Sequence, residues 1–480
     1  MPPIHSFTAQ VDLLAEETPT LLDRALRTGG WYADLFYEHT THHRLRLRQQ
    51  ARRAALDPPI QENEHQIVEG VGVRVLGEKN VGFEATDALS PSALVRVADT
   101  AAAQLGPTGA ARAASSLTAS SFHLDLPSDA PDTVTASEKA AVLRAAADAA
   151  FSLDARIRRV EVAYRDRVRR IAVATSEGAL RAMATTTLGL RVEVTLASDE
   201  GPVTAYAVTG GTDGFGHFFA HPPEEAAREA VERARRLAEA EPLDAGARPV
   251  VLAGGWGGVW LHEAVGHLLE ADVAASGGSP FAGCLGRPVA APAITLIDDA
   301  TRPGGRGSYR FDDEATPAAC TTLIENGVLR GFLTDRRFAC QGGLPCTGNA
   351  RRQDYRHAPL PRMTNLLLRA GTTDPADLIA DVADGLYVAV VGQGVVQPGQ
   401  GFAFDVLEGY RIERGRLTAP VTGARLVGVG PEVLHDLDGV GRDGQVDTAR
   451  GLCEKAGQVV PVSVGMPTVL VREMMVETGR

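Results

Sequence analysis

Lysine is almost missing from this chain, which has only Lys79, Lys139 and Lys455 among its 48 basic residues. The basic charge is therefore nearly all arginine, a mark of genomic base composition. Cysteine is also scarce: Cys284, Cys320, Cys340, Cys346 and Cys453 are an odd number, and none forms a CxxC pair. That spacing excludes a disulfide framework and a zinc knuckle, and leaves reduced thiols. No run reaches the roughly 18 to 20 apolar residues of a membrane span. The first 22 residues lack a basic region followed by an apolar one, so no secretory signal is expected and the chain reads as cytosolic. Acidic residues prevail, with a formal charge of -12 and no cluster of Lys/Arg interleaved with aromatics, so direct nucleic-acid binding is excluded.

What is present is ordinary globular material: 44% hydrophobic and 22% charged residues over 480 positions, enough for two or three domains. Residues 13–27 carry apolar positions at helical spacing, closed by Gly29-Gly30. Tyr32, Leu35, Tyr37, Leu45 and Leu47 follow, with His39, His42 and His43 between them. Three close histidines raise a metal reading, but their polar surroundings favour a solvated strand face. Val71, Val73 and Val75 alternate, 77–80 turns, and Val81 and Phe83 return. A helix with Pro91 in its first turn runs to about residue 103, and 105–132 reads as a long surface connection. Thr135 and Glu138 form a capping box for a helix to about residue 151. Strands are expected at 158–164, 168–176, 188–197 and 203–210, with a helix from Pro222-Pro223 to about 241. After residue 245 glycine, proline and β-branched residues dominate. The expectation is an α+β protein. Residues 1–245 form an α/β half with an antiparallel sheet and helices, and residues 246–480 a mostly β half.

The segment Leu261-His262-Glu263-Ala264-Val265-Gly266-His267-Leu268-Leu269-Glu270 gathers the densest chemistry. Zinc hydrolases commonly place histidines at i and i+4 on a helix with a glutamate between them. Here the second histidine comes one residue later, and positions five apart on a straight helix sit roughly 140° apart. A one-residue bulge at Gly266 would bring His262 and His267 together. Glu263 and His267, at i and i+4, already share a face. By itself this motif is either a metal site or a chance grouping, and its context must decide.

That context includes Asp298-Asp299, Gly304-Gly305-Arg306-Gly307-Ser308, Asp312-Asp313-Glu314-Ala315-Thr316-Pro317, Thr347-Gly348-Asn349-Ala350-Arg351-Arg352 and Pro361-Arg362-Met363-Thr364-Asn365. Near the ends stand Tyr32-Ala33-Asp34-Leu35, Glu69-Gly70-Val71-Gly72-Val73-Arg74 and Cys453-Glu454-Lys455-Ala456-Gly457-Gln458. Over nearly its whole length the chain resembles the TldD/PmbA family, in particular the TldD branch of metallopeptidases. The resemblance implies one zinc ion held by His262, His267 and Cys453, with Glu263 acting in catalysis. Two imidazoles and a thiolate leave a fourth tetrahedral position for water, as in catalytic zinc sites. It also implies an unfolded or extended peptide as substrate and a related, metal-free TldE/PmbA-type subunit as partner, in a heterodimer or, failing that, a homodimer. The N-terminal half would supply the substrate cleft and partner contacts.

One departure from the family pattern is Glu454, where glycine usually follows the cysteine; it leaves Cys453 the less secure ligand. Glu270 is either a fourth ligand or, as we favour, a carboxylate that orients His267. Asp298-Asp299 and Asp312-Asp313-Glu314 suit Mg or Ca, though acids beside glycine more often cap turns. Gly392-Gln393-Gly394-Val395-Val396 is a sheet edge that could take a peptide as an added strand, or a turn. The competing functions are a non-catalytic peptide-binding subunit and a cysteine hydrolase using Cys453. The family's association with DNA gyrase regulation would, given the charge, act indirectly through proteolysis.

Overall fold

The computed structural model describes residues 3–51, 60–117, 119–397 and 401–478. Its N-terminal part is a sheet of strands β1 (Tyr32–Gln50), β2 (Ile60–Leu76), β3 (Val81–Thr86), β4 (Ala119–His123), β5 (Ile157–Thr175), β6 (Ala179–Ser198) and β7 (Gly201–Gly211). The order is β3-β2-β1-β5-β6, with both β4 and β7 pairing with β6. All pairs are antiparallel except β4 with β6. Helices α1 (Pro3–Leu26), α2 (Pro91–Leu105), α3 (Ala136–Leu153), α4 (His217–Ala220) and α5 (Pro223–Ala238) complete this half.

Local signals explain most of these elements. Val71, Val73 and Val75 lie on one face of β2 and pack with Leu94, Val97 and Ala98 of α2. The capping box at α3 is present with both of its hydrogen bonds. Proline opens α2 and α5, where a missing N–H costs nothing.

Three expectations need correction. The strands expected at 158–164 and 168–176 are one strand, β5, because Tyr164, Asp166 and Val168 continue the buried alternation. Asp166 tolerates burial because Lys139 Nζ lies 2.5 Å away and the Tyr164 hydroxyl donates to it at 2.7 Å. Within 105–132, β4 adds a parallel strand to what reads as surface connection. The histidines of β1 do not form a solvated face: His43 is buried between Asn63 at 2.8 Å and Lys139 at 3.1 Å.

The second part begins its pairing at Glu241–Pro242, which lies beside Arg416–Thr422. Five of its strands, Asp384–Gln397, Gly246–Leu252, Val469–Thr478, Ala424–Gly428 and Gly401–Glu413, pair in that order, and the last returns to the first. The ring closes at Leu386–Val388, the only residues of Asp384–Gln397 paired with Gly246–Leu252 among the described residues, so the outer part of that strand keeps one free side. Val250, Leu252, Leu386, Val388, Phe402 and Phe404 belong to its core, with Trp260 beside them. A second sheet contains Cys320–Glu325, Leu296–Asp299, Asn365–Leu368 and Ser463–Met466. The stretch Gly392-Gln393-Gly394-Val395-Val396 lies in the outer part of Asp384–Gln397, paired on one side with Gly401–Glu413; it is a strand and not a turn.

The two parts meet across the sheet face opposite its helices. Phe36, Ile171, Val173 and Met183 pack against Phe311, Ala315 and Tyr355. The acids of 312–314 complete this contact. Asp313 takes both Nη atoms of Arg169 at 2.9 and 3.1 Å, and Glu314 lies 2.6 Å from Arg74. Asp312 accepts backbone N–H groups of Glu314, Thr316 and Ala350. Asp298 accepts from Thr364 and Asn349, and Asp299 from Thr301. Each of these carboxylates is occupied inside the protein, joining segments and closing turns, so none forms the Mg or Ca site considered from the sequence.

Candidate metal centre

Helix α6 (Val259–Ala264) carries His262 and Glu263, and a separate 3-10 turn, Gly266–Leu269, carries His267. The α-helix ends at Val265, whose φ of -129° and ψ of -48° leave the helical region. The break, and not a bulge inside a continuous helix, swings His267 back toward His262. Their rings lie 5.1 Å apart at 80°.

Glycine serves a purpose here other than unusual backbone angles. A Cβ on Gly266 would lie 2.2 Å from Met363 Sδ and 3.0 Å from a Leu366 methyl, so any side chain at this turn would have to displace Met363. Gly258, just before α6, is likewise pressed on the Gly465 backbone, where a Cβ would stand 3.0 Å from its nitrogen. Trp260, Leu261, Ala264 and Val265 anchor the segment in the C-terminal core.

Cys453 arrives from far along the chain on a hairpin of Leu452–Lys455 with Gln458–Pro461. Its two-residue turn, Ala456-Gly457, has φ of 51° and 73°, the left-handed pair that tight hairpins favour. Arg362, fully buried, donates to the Cys453 carbonyl at 2.6 Å and to the Gln458 carbonyl at 3.3 Å, holding the hairpin in place. Glu454 follows the regular alternation and points outward, so its charge is directed away from Cys453.

The ligand atoms of His262, His267 and Cys453 lie within 4.8 Å of one another, and they form the one such cluster among the described residues. Cys453 Sγ is 3.6 Å from His267 Nε2. Both ring nitrogens of His262 are buried without a hydrogen-bond partner, which a core histidine ordinarily avoids. Two imidazoles and a thiol that converge with nitrogens left over are a donor set that fits a zinc-type ion. Glu263 Oε2 is 4.0 Å from His267 Nε2, on a side chain 33% exposed, and so stands where water can reach it.

Behind the donors, Glu270 Oε2 is 2.9 Å from His267 Nδ1, which leaves Nε2 to face Cys453. Buried Glu270 also receives Lys455 Nζ at 2.9 Å and the Met363 N–H at 3.3 Å, and Lys455 reaches Asp272 at 2.7 Å. Burial opposes the Glu270 charge, but His267 and Lys455 outweigh it and hold this carboxyl at about 2. The Cys453 thiol is held well below its ordinary value despite burial, by the charges of His262 and His267. His267 is raised well above its own, with Glu270 and Cys453 outweighing burial. Lys455 and Arg362 are the supporting residues that sequence reasoning left without a role. The rarity of lysine could have flagged the first, whereas nothing local marks the second.

Two imidazoles, a thiol and a nearby carboxylate, set beside a β core, are a donor set that fits a metal ion. The PmbA/TldA metallopeptidase C-terminal domain matches residues 245–478, and the central domain of the same family matches 129–238. The chain is 33% identical to a Haemophilus influenzae protein named metalloprotease TldD homolog, covering 93% of this chain and 92% of that one. It is 36% identical to a Methanothermobacter thermautotrophicus metalloprotease, covering 88% and 91%. A Saccharolobus solfataricus protein named zinc metalloprotease TldD homolog is 32% identical over 48% of this chain and 52% of its own. In fold, the chain is similar to TldE of Thermococcus kodakarensis, with a TM-score of 0.72 at 16% identity over 96% and 99% of the two chains. The chain belongs to the PmbA/TldD metallopeptidase family.

Proposed function

We propose that this protein is a zinc-dependent peptidase of the TldD type, acting on unfolded or extended peptides. The observation that carries this reading is the convergence of His262, His267 and Cys453 within 4.8 Å, with both nitrogens of buried His262 unpartnered. His262, His267 and Cys453 would hold zinc, which would supply Lewis acidity toward the scissile carbonyl and toward water. Glu263 takes the proton of the attacking water and returns it to the leaving amine. Glu270 and Lys455 orient His267, and Arg362 keeps Cys453 in register. Residues 246–480 supply the metal centre, and residues 1–245 the substrate cleft and partner contacts. The outer part of Asp384–Gln397 offers main-chain groups to an extended peptide, a mode of recognition that favours broad sequence tolerance. The likeness to a TldE fold supports a TldE-type subunit as partner, and five unpaired thiols suit the reducing cytosol.

A second reading rests on the 3.6 Å approach of Cys453 Sγ to His267 Nε2, the pairing of a thiol hydrolase. Metal analysis of protein purified without added metal, with hydrolysis of an unstructured peptide, separates the two. The zinc reading expects about one zinc per chain, lost with activity in Cys453→Ser and in His262→Ala. Glu263→Gln should keep the metal and lose turnover by at least about 100-fold. Hydrolysis that survives chelation would sink the zinc reading in favour of the thiol.

A further inference from the structure

A small cavity lies between the inner face of the N-terminal sheet and the loops of the C-terminal half, and Arg167, Arg169, Arg306, Arg351 and Arg352 all line it. Its volume is about 30 Å³, roughly twice what one ordered water requires. Val460 and Pro461 form part of the wall, and Val460 is the residue paired with Cys453 across the hairpin. The cavity therefore adjoins the candidate metal centre. Thr185, Thr187 and Ser308 in its lining are only partly buried, so it is not sealed from solvent.

Its five guanidiniums are unequally matched. Arg169 forks onto Asp313, and Arg352 reaches Asp34 at 3.2 Å. Arg167 donates to the Gln353 carbonyl at 3.1 Å, and its nearest carboxylate is Glu38 at 3.6 Å, which it shares with Arg169 at 3.5 Å. Arg306 and Arg351 have no carboxylate within ion-pair distance among the described residues. Arg306 rests on the Leu188 carbonyl at 3.2 Å, and Arg351 donates to the carbonyls of Met363 and Pro461 at 2.6 and 2.7 Å. Nε of Arg167, Arg306 and Arg352, with Nη1 of Arg352, are buried and unpartnered. A guanidinium stays charged, and burying one without a counter-charge is costly. Burial pushes Arg167 and Arg306 down to about 10, with Arg169 adding repulsion at Arg167 and Asp447 partly offsetting the burial at Arg306.

We propose that this cavity binds a carboxylate of the peptide presented to the metal centre. A carboxylate offers two oxygens in a plane, the shape a guanidinium fork matches, and two oxygens suit a space of two waters. The identity of the ligand as a peptide rests on the peptidase reading; the unmatched donors do not. The carboxylate comes either from the peptide's C-terminus or from an Asp or Glu side chain.

Fluorescence anisotropy of an N-terminally labelled, unstructured hexapeptide tests this on the full chain, both zinc-loaded and chelated. Three versions are compared: a free C-terminus with one internal Glu, the same peptide amidated, and the same peptide with Glu replaced by Gln. Wild type should bind the amidated or the Gln version at least tenfold more weakly, the first identifying the terminal carboxylate and the second the side chain. In Arg306→Gln that difference should shrink to within twofold. Should that variant fail to fold, Arg167→Gln on the facing wall carries the same comparison. Equal binding of all three peptides by wild type overturns the proposal, as does an undiminished difference in the folded variants. A carboxylate preference without any hydrolysis by the loaded protein would instead fail the peptidase reading alone. Intact hydrolysis with equal binding would fail the cavity alone.

Discussion

Lys455 Nζ lies 2.9 Å from Glu270 Oε2, and His267 Nδ1 lies 2.9 Å from that same oxygen. One buried carboxylate thus ties the histidine turn to the cysteine hairpin, although the two lysine-carboxylate partners are 185 residues apart. Glu270→Gln keeps the shape and removes the charge that the His267 Nδ1–H and the Lys455 ammonium face. Zinc affinity, measured by competition with a chelator, should fall about 10- to 100-fold, the usual effect of losing such a partner to a ligand histidine. Unchanged affinity would show that Glu270 does not position His267.

Gly266→Ala inserts a methyl 2.2 Å from Met363 Sδ. A methionine can bend away, so the expected loss is about 1–3 kcal/mol of stability, together with weaker zinc binding as the turn shifts. In a Met363→Ala background, itself destabilised by the lost core side chain, the further cost of Gly266→Ala should shrink in a thermal melt. A single variant as stable as wild type would refute the tight packing.

Ala456 holds a left-handed φ of 51° on an exposed turn, strained for a residue with a Cβ. Ala456→Gly should stabilise the chain by about 0.5–1 kcal/mol in urea unfolding, the relief of strain outweighing glycine's extra entropy in the unfolded state. A stability loss would mean that the strain is absent.

His42 is held down to about 4 by burial, with Arg167 and Arg44 adding repulsion. Between pH 6.5 and 4 the unfolded chain binds a proton at this position that the folded chain does not, so stability falls as pH drops through that window. His42→Gln should remove about 2 kcal/mol of that fall, after discounting for partial exposure. Urea midpoints at pH 7 and pH 4.5 check it; identical pH sensitivity in both proteins would contradict the assignment.

Local chemistry made much of the chain readable. Thr135 and Glu138 announce their helix through hydrogen bonds made within four residues, and Val71, Val73 and Val75 announce a strand because side chains on a pleated ribbon alternate. His262, Glu263 and His267 declare themselves as a group by type and proximity alone. The continuity of β5 through Arg165, Asp166 and Arg167 was not readable, since what permits it is Lys139 from another element. Asp312 caps its turn as loop acids commonly do, but the pairing of Asp313 and Glu314 with Arg169 and Arg74 was not readable, because those partners lie in the other half of the chain.

The sequence by itself determined many of the elements, the α+β class and the residue types of the candidate centre, because propensity, capping and periodicity act over a few residues. Only the tertiary structure decided that the helix breaks at Val265, that Cys453 stands 3.6 Å from a histidine 186 residues away, and that five arginines share one cavity. Those outcomes depend on close packing and burial between segments distant in sequence, where the cost of leaving a polar group unpaired selects the partner.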